Sequence, residues 1–315
     1  MKPSSMFLLA CLLTLSSLPV LSQNSQAKRK EISDYVLSLA KQNDSDAYFI
    51  LESDQTGIFV KYFRGSSREE IAKSAGTAVH ETCHRLNFLS PKADMFNNES
   101  YYITGDIIIE CPLTKTIKSN ELNAFVPKLL QQKVPRYSLY MGDDPSEVSS
   151  IVQGIYGMMD EFSAYYHESR IDYALHKAGI IKIGDSHKTT ESSEGNHTTN
   201  TSSVTWHRVD LLDSFYEFNL FISWYLQYTK KKYPAIFKGI HDNTNFRIAY
   251  TLLYQQFAQL VAQVKADPDL RSYYYTPSSG YFHSADSLEL QNFRMKDVDI
   301  SNYRQHLTEL PKKDR

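Results

Sequence analysis

The sequence predicts an α+β protein in which helices dominate and one small, mostly antiparallel sheet packs against a helix at residues 67–88. Three observations carry this expectation. Several long stretches place apolar residues three and four apart, the period of a helix face. Short runs rich in Tyr, Ile and Val flank Gly-containing turn chemistry, which marks hairpins. The 315 residues are 42% hydrophobic and 22% charged, a globular profile with enough material for a sizeable core.

Residues 1–22 stand apart from the fold. Lys2 precedes an apolar run at 6–15 that only Thr14 interrupts, and Val20-Leu21-Ser22 offers a cleavage site. This is the pattern of a secretory signal peptide cut after Ser22. The run is shorter than the ~20 apolar residues that a bilayer span requires. Leu8-Leu9-Ala10-Cys11 resembles a lipobox and gives the alternative of a lipid anchor on Cys11, but the apolar stretch continues beyond that cysteine. A secreted or periplasmic chain, with no membrane insertion of its mature part, is expected.

Residues 23–183 form the next unit. The stretch 31–42 reads as an amphipathic helix. The runs 47–51 and 58–63 read as strands joined by Asp54-Gln55-Thr56-Gly57. A helix starts at Ser67, where Glu70 completes a capping box, and continues to about residue 88. The runs 101–103 and 107–110 flank Thr104-Gly105-Asp106 as a hairpin, and 137–140 reads as a further short strand. Asp144-Pro145-Ser146-Glu147 is a strong helix start, and Gly179 is a stop. Between them lies one helix about 50 Å long, or two helices bent near Gly154 and Gly157.

Residues 184–205 are Ser/Thr-rich and without apolar period, an exposed loop with sequons at Asn196-His197-Thr198 and Asn200-Thr201-Ser202. Residues 206–315 add helices at 208–232 and 244–265 and are read as part of the same domain. The first is aromatic (Phe215, Tyr216, Phe218, Phe221, Trp224, Tyr225) and is read as core, with Lys230-Lys231-Lys232 solvated at its end. No element is assigned from Asp267 onward.

Lys plus Arg number 34 against 36 Asp plus Glu, so no basic footprint for nucleic acid or an anionic membrane is present. Of the cysteines beyond the leader, Cys83 and Cys111 are either one disulfide or two buried thiols.

The residues that carry chemistry are His80-Glu81-Thr82-Cys83-His84. Two histidines four apart share a helix face, one turn above the other, so both imidazoles can hold one Zn2+ ion. Glu81 is rotated by one residue and is placed to take a proton from a water at that ion. Position 87 is Asn and position 90 is Ser, so the Gly and His of extended metalloprotease motifs are absent and the third ligand must be distant. Glu161 is the candidate. Ala72, Gly76, His80 and His84 on one helix, and Gly154, Gly157, Glu161 and Ala164 on the other, make small-residue stripes that permit close approach.

HExxH on one helix, followed by a later helix with Glu161-x-x-Ala164, resembles the gluzincin class of zinc metallopeptidases, the thermolysin-like zincins. The resemblance covers the order of elements over about 47–178 and motif residues within them. It implies a zincin-like fold and zinc-dependent cleavage of a peptide or protein substrate. His80, His84 and Glu161 would be metal ligands and Glu81 the general base. It implies an edge strand at 58–63 that pairs with substrate. Many gluzincins carry an Asp four residues after the ligand Glu to orient a histidine. Here that residue is Tyr165, with Asp160 as a substitute. The oxyanion stabiliser is left open among Tyr165, Tyr166, His167, His207 and His283. The competing reading is a non-catalytic binding protein on a zincin scaffold, with a structural or vacant metal site.

Overall fold

The computed structural model describes residues 23–89, 97–142, 149–183, 210–270 and 288–295. The leader, the 184–205 loop with its sequons, the Asp144-Pro145-Ser146-Glu147 start signal, His207 and His283 lie outside the described residues. The elements run α1 (Gln23–Asn43), α2 (Ser45–Ser53), α3 (Arg68–Lys73), α4 (Ala75–Leu89), β1 (Asn98–Thr104), β2 (Ile107–Pro112), α5 (Lys128–Lys133), α6 (Tyr137–Met141), α7 (Ser149–Gln153), α8 (Ile155–Lys177), α9 (Asp210–Lys232), α10 (Pro234–Asp242), α11 (Thr244–Ala266) and α12 (Leu288–Met295). Helices dominate, and β1 pairs with β2 in one antiparallel hairpin, from Asn98 opposite Pro112 to Thr104 opposite Ile107. No described helix is long and apolar enough to cross a membrane.

Three expected strands are helical instead. Residues 47–51 lie within α2, because the Asp44 carboxylate accepts the amide hydrogens of Asp46 and Ala47 and starts a helix there. Residues 58–63 are mostly a 3-10 helix, Ile58–Tyr62. It is entered through Gly57 at φ 64° and fixed by the Phe59 amide on Asp54 Oδ2 at 2.8 Å. No edge strand for substrate exists there. Residues 137–140 belong to α6. The Ser67–Glu70 capping box is present, but the helix it opens stops at Ser74. That hydroxyl donates to the Glu70 carbonyl and accepts the Arg64 amide, and α4 begins afterwards. Helices α5, α10 and α12 were not anticipated.

Helix α8 is buried on nearly all sides although it carries Asp160, Glu161, Glu168 and Arg170. It separates two cores. Phe162 faces α9 and α11, with ring centroids 5.4–6.2 Å from Phe215, Tyr250 and Phe257. Ala164, Ile171 and Leu175 face the second core, with Val36, Ala72, Ala78 and Val79. Strand β1 divides the same way: Tyr101 and Ile103 enter the first core and Tyr102 the second. Gly154 takes φ 61° and interrupts the long helix between α7 and α8, while Gly179 at φ 72° ends it. Cys83 and Cys111 are free, buried thiols.

Beside α8, Arg170 pairs with Asp44 and Asp46 inside the second core. His167 lies against them, its Nε2 3.3 Å from the Tyr102 carbonyl. Its Nδ1 has no hydrogen-bond partner among the described residues, so a proton there would be unsatisfied. Burial, which outweighs the attraction of Asp46, pulls the imidazole down to about 4.

Two outcomes are expected. A Cβ at Gly157 would run into the backbone of Ser150, so Gly157→Ala should destabilise by about 1–3 kcal/mol in denaturant unfolding. His167 is neutral when folded and binds a proton more readily when unfolded. Its contribution is therefore fully present above pH ~6.5 and is lost as pH falls towards 4, a change of about 3 kcal/mol. Unfolding of His167→Phe should depend less steeply on pH across that window; a slope equal to wild type would contradict the assignment.

Candidate metal centre

Helices α4 and α8 pack side by side. Gly76 lets them approach: a Cβ there would sit 2.5 Å from the Asp172 carboxylate. The stripe on α8 works differently from expectation. Gly154 meets the Ile117 carbonyl and Gly157 meets Ser150, so both accommodate neighbours other than α4.

Across this contact His80, His84 and Glu161 converge, their ligand atoms all within 4.8 Å of one another. Glu161 Oε2 lies 3.5 Å from Nε2 of each histidine, and the two Nε2 atoms are 3.0 Å apart. Each Nδ1 is held by a carboxylate of α8: His80 by Glu168 Oε2 at 2.9 Å, His84 by Asp160 Oδ2 at 2.6 Å. A carboxylate only accepts, so each Nδ1 donates, and the Nε2 atoms are left to face Glu161. This is the arrangement that metal-binding histidines adopt. Two imidazole nitrogens and one carboxylate oxygen also make a donor set suited to a divalent transition metal. The residues fit a metal ion.

Asn87 completes the frame. Its amide nitrogen donates to Asp160 Oδ1 at 2.8 Å, and its carbonyl oxygen accepts the Tyr102 amide at 2.8 Å. One side chain thus ties α4, α8 and β1 together. Tyr140 of α6 donates to Glu161 Oε2 at 3.0 Å and lies 3.0 Å from the Tyr165 hydroxyl. The Tyr165 ring stands edge-on to His80, centroids 4.5 Å apart.

The electrostatics favour positive charge. Burial opposes protonation of His80, but its bonds to Glu161 and Glu168 outweigh this and raise it to about 9. His84 is raised well above its usual value because Asp160 and Glu161 overcome burial. Glu161, despite burial, is held far below the ordinary carboxylate range by the two histidines. In the metal-free protein a proton takes the place that a cation would occupy, and metal binding must displace it. Glu99 on β1 is pushed up to about 8, by burial and then by the charge of Asp160, with His84 opposing.

Of the residues expected from sequence, His80, His84, Glu161, Asp160 and Tyr165 come together. Glu81 is half-buried next to His80 on α4 and has no hydrogen-bond partner among the described residues. Tyr166 and His167 do not join the cluster: the Tyr166 hydroxyl binds Gln256 of α11, and His167 faces the Tyr102 carbonyl in the second core. Tyr140, Glu168, Asn87 and Glu99 were missed. Glu168 had a signal, since it lies two turns beyond Glu161 on one face; Tyr140 and Glu99 come from distant elements and had none. Comparison with family models, curated proteins and solved structures found no match.

With zinc as the titrant, Asp160→Asn and Glu168→Gln should each weaken binding about 10–100-fold in a chelator competition. Wild-type affinity in both would show that these carboxylates do not set the imidazoles.

Proposed function

We propose that the protein is a zinc-dependent hydrolase of the metallopeptidase type, acting on a peptide or protein substrate. The observation that carries this reading is the meeting of His80 Nε2, His84 Nε2 and Glu161 Oε2 while both Nδ1 atoms are occupied by carboxylates. Zinc suits two imidazoles and one carboxylate with a fourth position open. Bound there, it supplies a Lewis acid and acidifies a water.

The chain's own residues then have defined tasks. Glu81 sits one residue from His80 on α4 and is half-buried. It accepts the proton of the attacking water and returns it to the leaving amine nitrogen as the C–N bond breaks. Glu168 and Asp160 keep the imidazoles in register as charge develops. Of Tyr165, Tyr166 and His167, Tyr165 lies at the site with its hydroxyl on that of Tyr140, whereas Tyr166 and His167 are turned away. The leader at 1–22 is consistent with action outside the cytoplasm, in the periplasm or the medium. A purely structural zinc site has no use for Glu81, which favours the hydrolase over a binding protein on the same scaffold.

A peptide-library digest tests this. Glu81→Gln should retain zinc and lose cleavage by about 10²–10⁴-fold. Chelation should abolish wild-type cleavage and added zinc should restore it. Undiminished cleavage by Glu81→Gln removes it as the base, and zinc-loaded wild type that cleaves nothing supports the binding protein.

A further inference from the structure

The geometry points to Tyr140 as a positioning residue of the metal centre: its hydroxyl holds the ligating oxygen of Glu161, and Tyr165 holds that hydroxyl. This rests on the reading of His80, His84 and Glu161 as ligands and extends it to α6, an element with no part of the motif.

The argument begins with one oxygen. Tyr140 donates to Glu161 Oε2 at 3.0 Å, and the same Oε2 is the atom 3.5 Å from both imidazole Nε2 atoms. The phenol therefore selects Oε2, rather than the pair of carboxylate oxygens, to face the cation. A phenol has a single hydrogen, and Tyr140 spends its own on Glu161. In the 3.0 Å contact between the two hydroxyls Tyr165 must then be the donor.

Tyr165 is itself constrained. Its ring stands against His80, and the Arg136 guanidinium lies 4.7 Å from the ring centre. Arg136 pairs with Glu217 of α9, both buried. A continuous set of contacts runs from Glu217 through Arg136, Tyr165 and Tyr140 to the ligand carboxylate.

The test uses the full chain, stripped of metal by chelation and titrated with zinc, and with Co2+ as a spectroscopic probe. Tyr140→Phe keeps the ring against Phe218, whose centroid is 5.0 Å away, so the metal-free melting temperature should stay near wild type. Zinc affinity should fall about tenfold or more. The visible Co2+ absorption should weaken as Glu161 turns to offer both oxygens and coordination rises. Tyr165→Phe should lose less. The double variant should be no worse than Tyr140→Phe alone, because Tyr165 acts through Tyr140.

Unchanged zinc affinity and Co2+ spectrum in Tyr140→Phe overturn the inference, as do additive losses in the double variant. A loss matched by collapse of the metal-free melt overturns it too, by reducing Tyr140 to a core residue. Wild type that binds no zinc sinks the ligand reading and this one with it. Wild-type binding alongside an indifferent Tyr140→Phe sinks this one alone.

Discussion

Two hydrogen bonds at the back of two imidazoles organise the centre of this molecule. Glu168 and Asp160 occupy the Nδ1 atoms of His80 and His84. The Nε2 atoms are thereby turned toward Glu161, and α4 is set against α8 in one register. Without those bonds each ring could rotate about χ2, and three donors would not share a point. The concentration of carboxylates around two histidines is also what makes the point attractive to a cation. Asp160, Glu161 and Glu168 lie within a few residues on one helix, with Glu99 nearby. Positive charge between them offsets their mutual repulsion.

The scaffold explains why this register is firm. Helix α8 is packed by a core on either side, so it cannot shift toward one without opening the other. Asn87 uses both ends of its amide, one on Asp160 and one on the β1 backbone. Arg170, between Asp44 and Asp46, ties the middle of α8 to the start of α2. Breaking a buried pair of this kind typically costs about 3–5 kcal/mol. Stability and site geometry are therefore carried by the same helix.

Much of this was legible in the sequence, and the gaps have physical reasons. The i, i+4 spacing of His80 and His84 fixes a shared face wherever the helix is placed. The hairpin at Thr104-Gly105-Asp106 and the capping box at Ser67 are local and came through intact. The run at 47–51 did not. Five apolar residues suit a buried strand or a buried helix equally, and the deciding atom was the Asp44 carboxylate three positions upstream. At 58–63 the aromatic and β-branched composition suggested a strand, while Asp54 was already committed to amides that wind the chain. Glu161 was found from its distance to the motif and its small neighbours, although those glycines serve other contacts. Tyr140 was out of reach, because nothing in a sequence brings α6 to the middle of α8.

X-ray absorption at the zinc edge of zinc-loaded protein tests the central claim most directly. Two imidazole nitrogens at about 2.0–2.1 Å and at least one oxygen at about 2.0–2.2 Å are predicted, with the imidazole scattering reduced in His80→Ala and in His84→Ala. A shell of oxygens without imidazole, sulfur ligation through Cys83 or Cys111, or zinc that dialysis removes completely would contradict it.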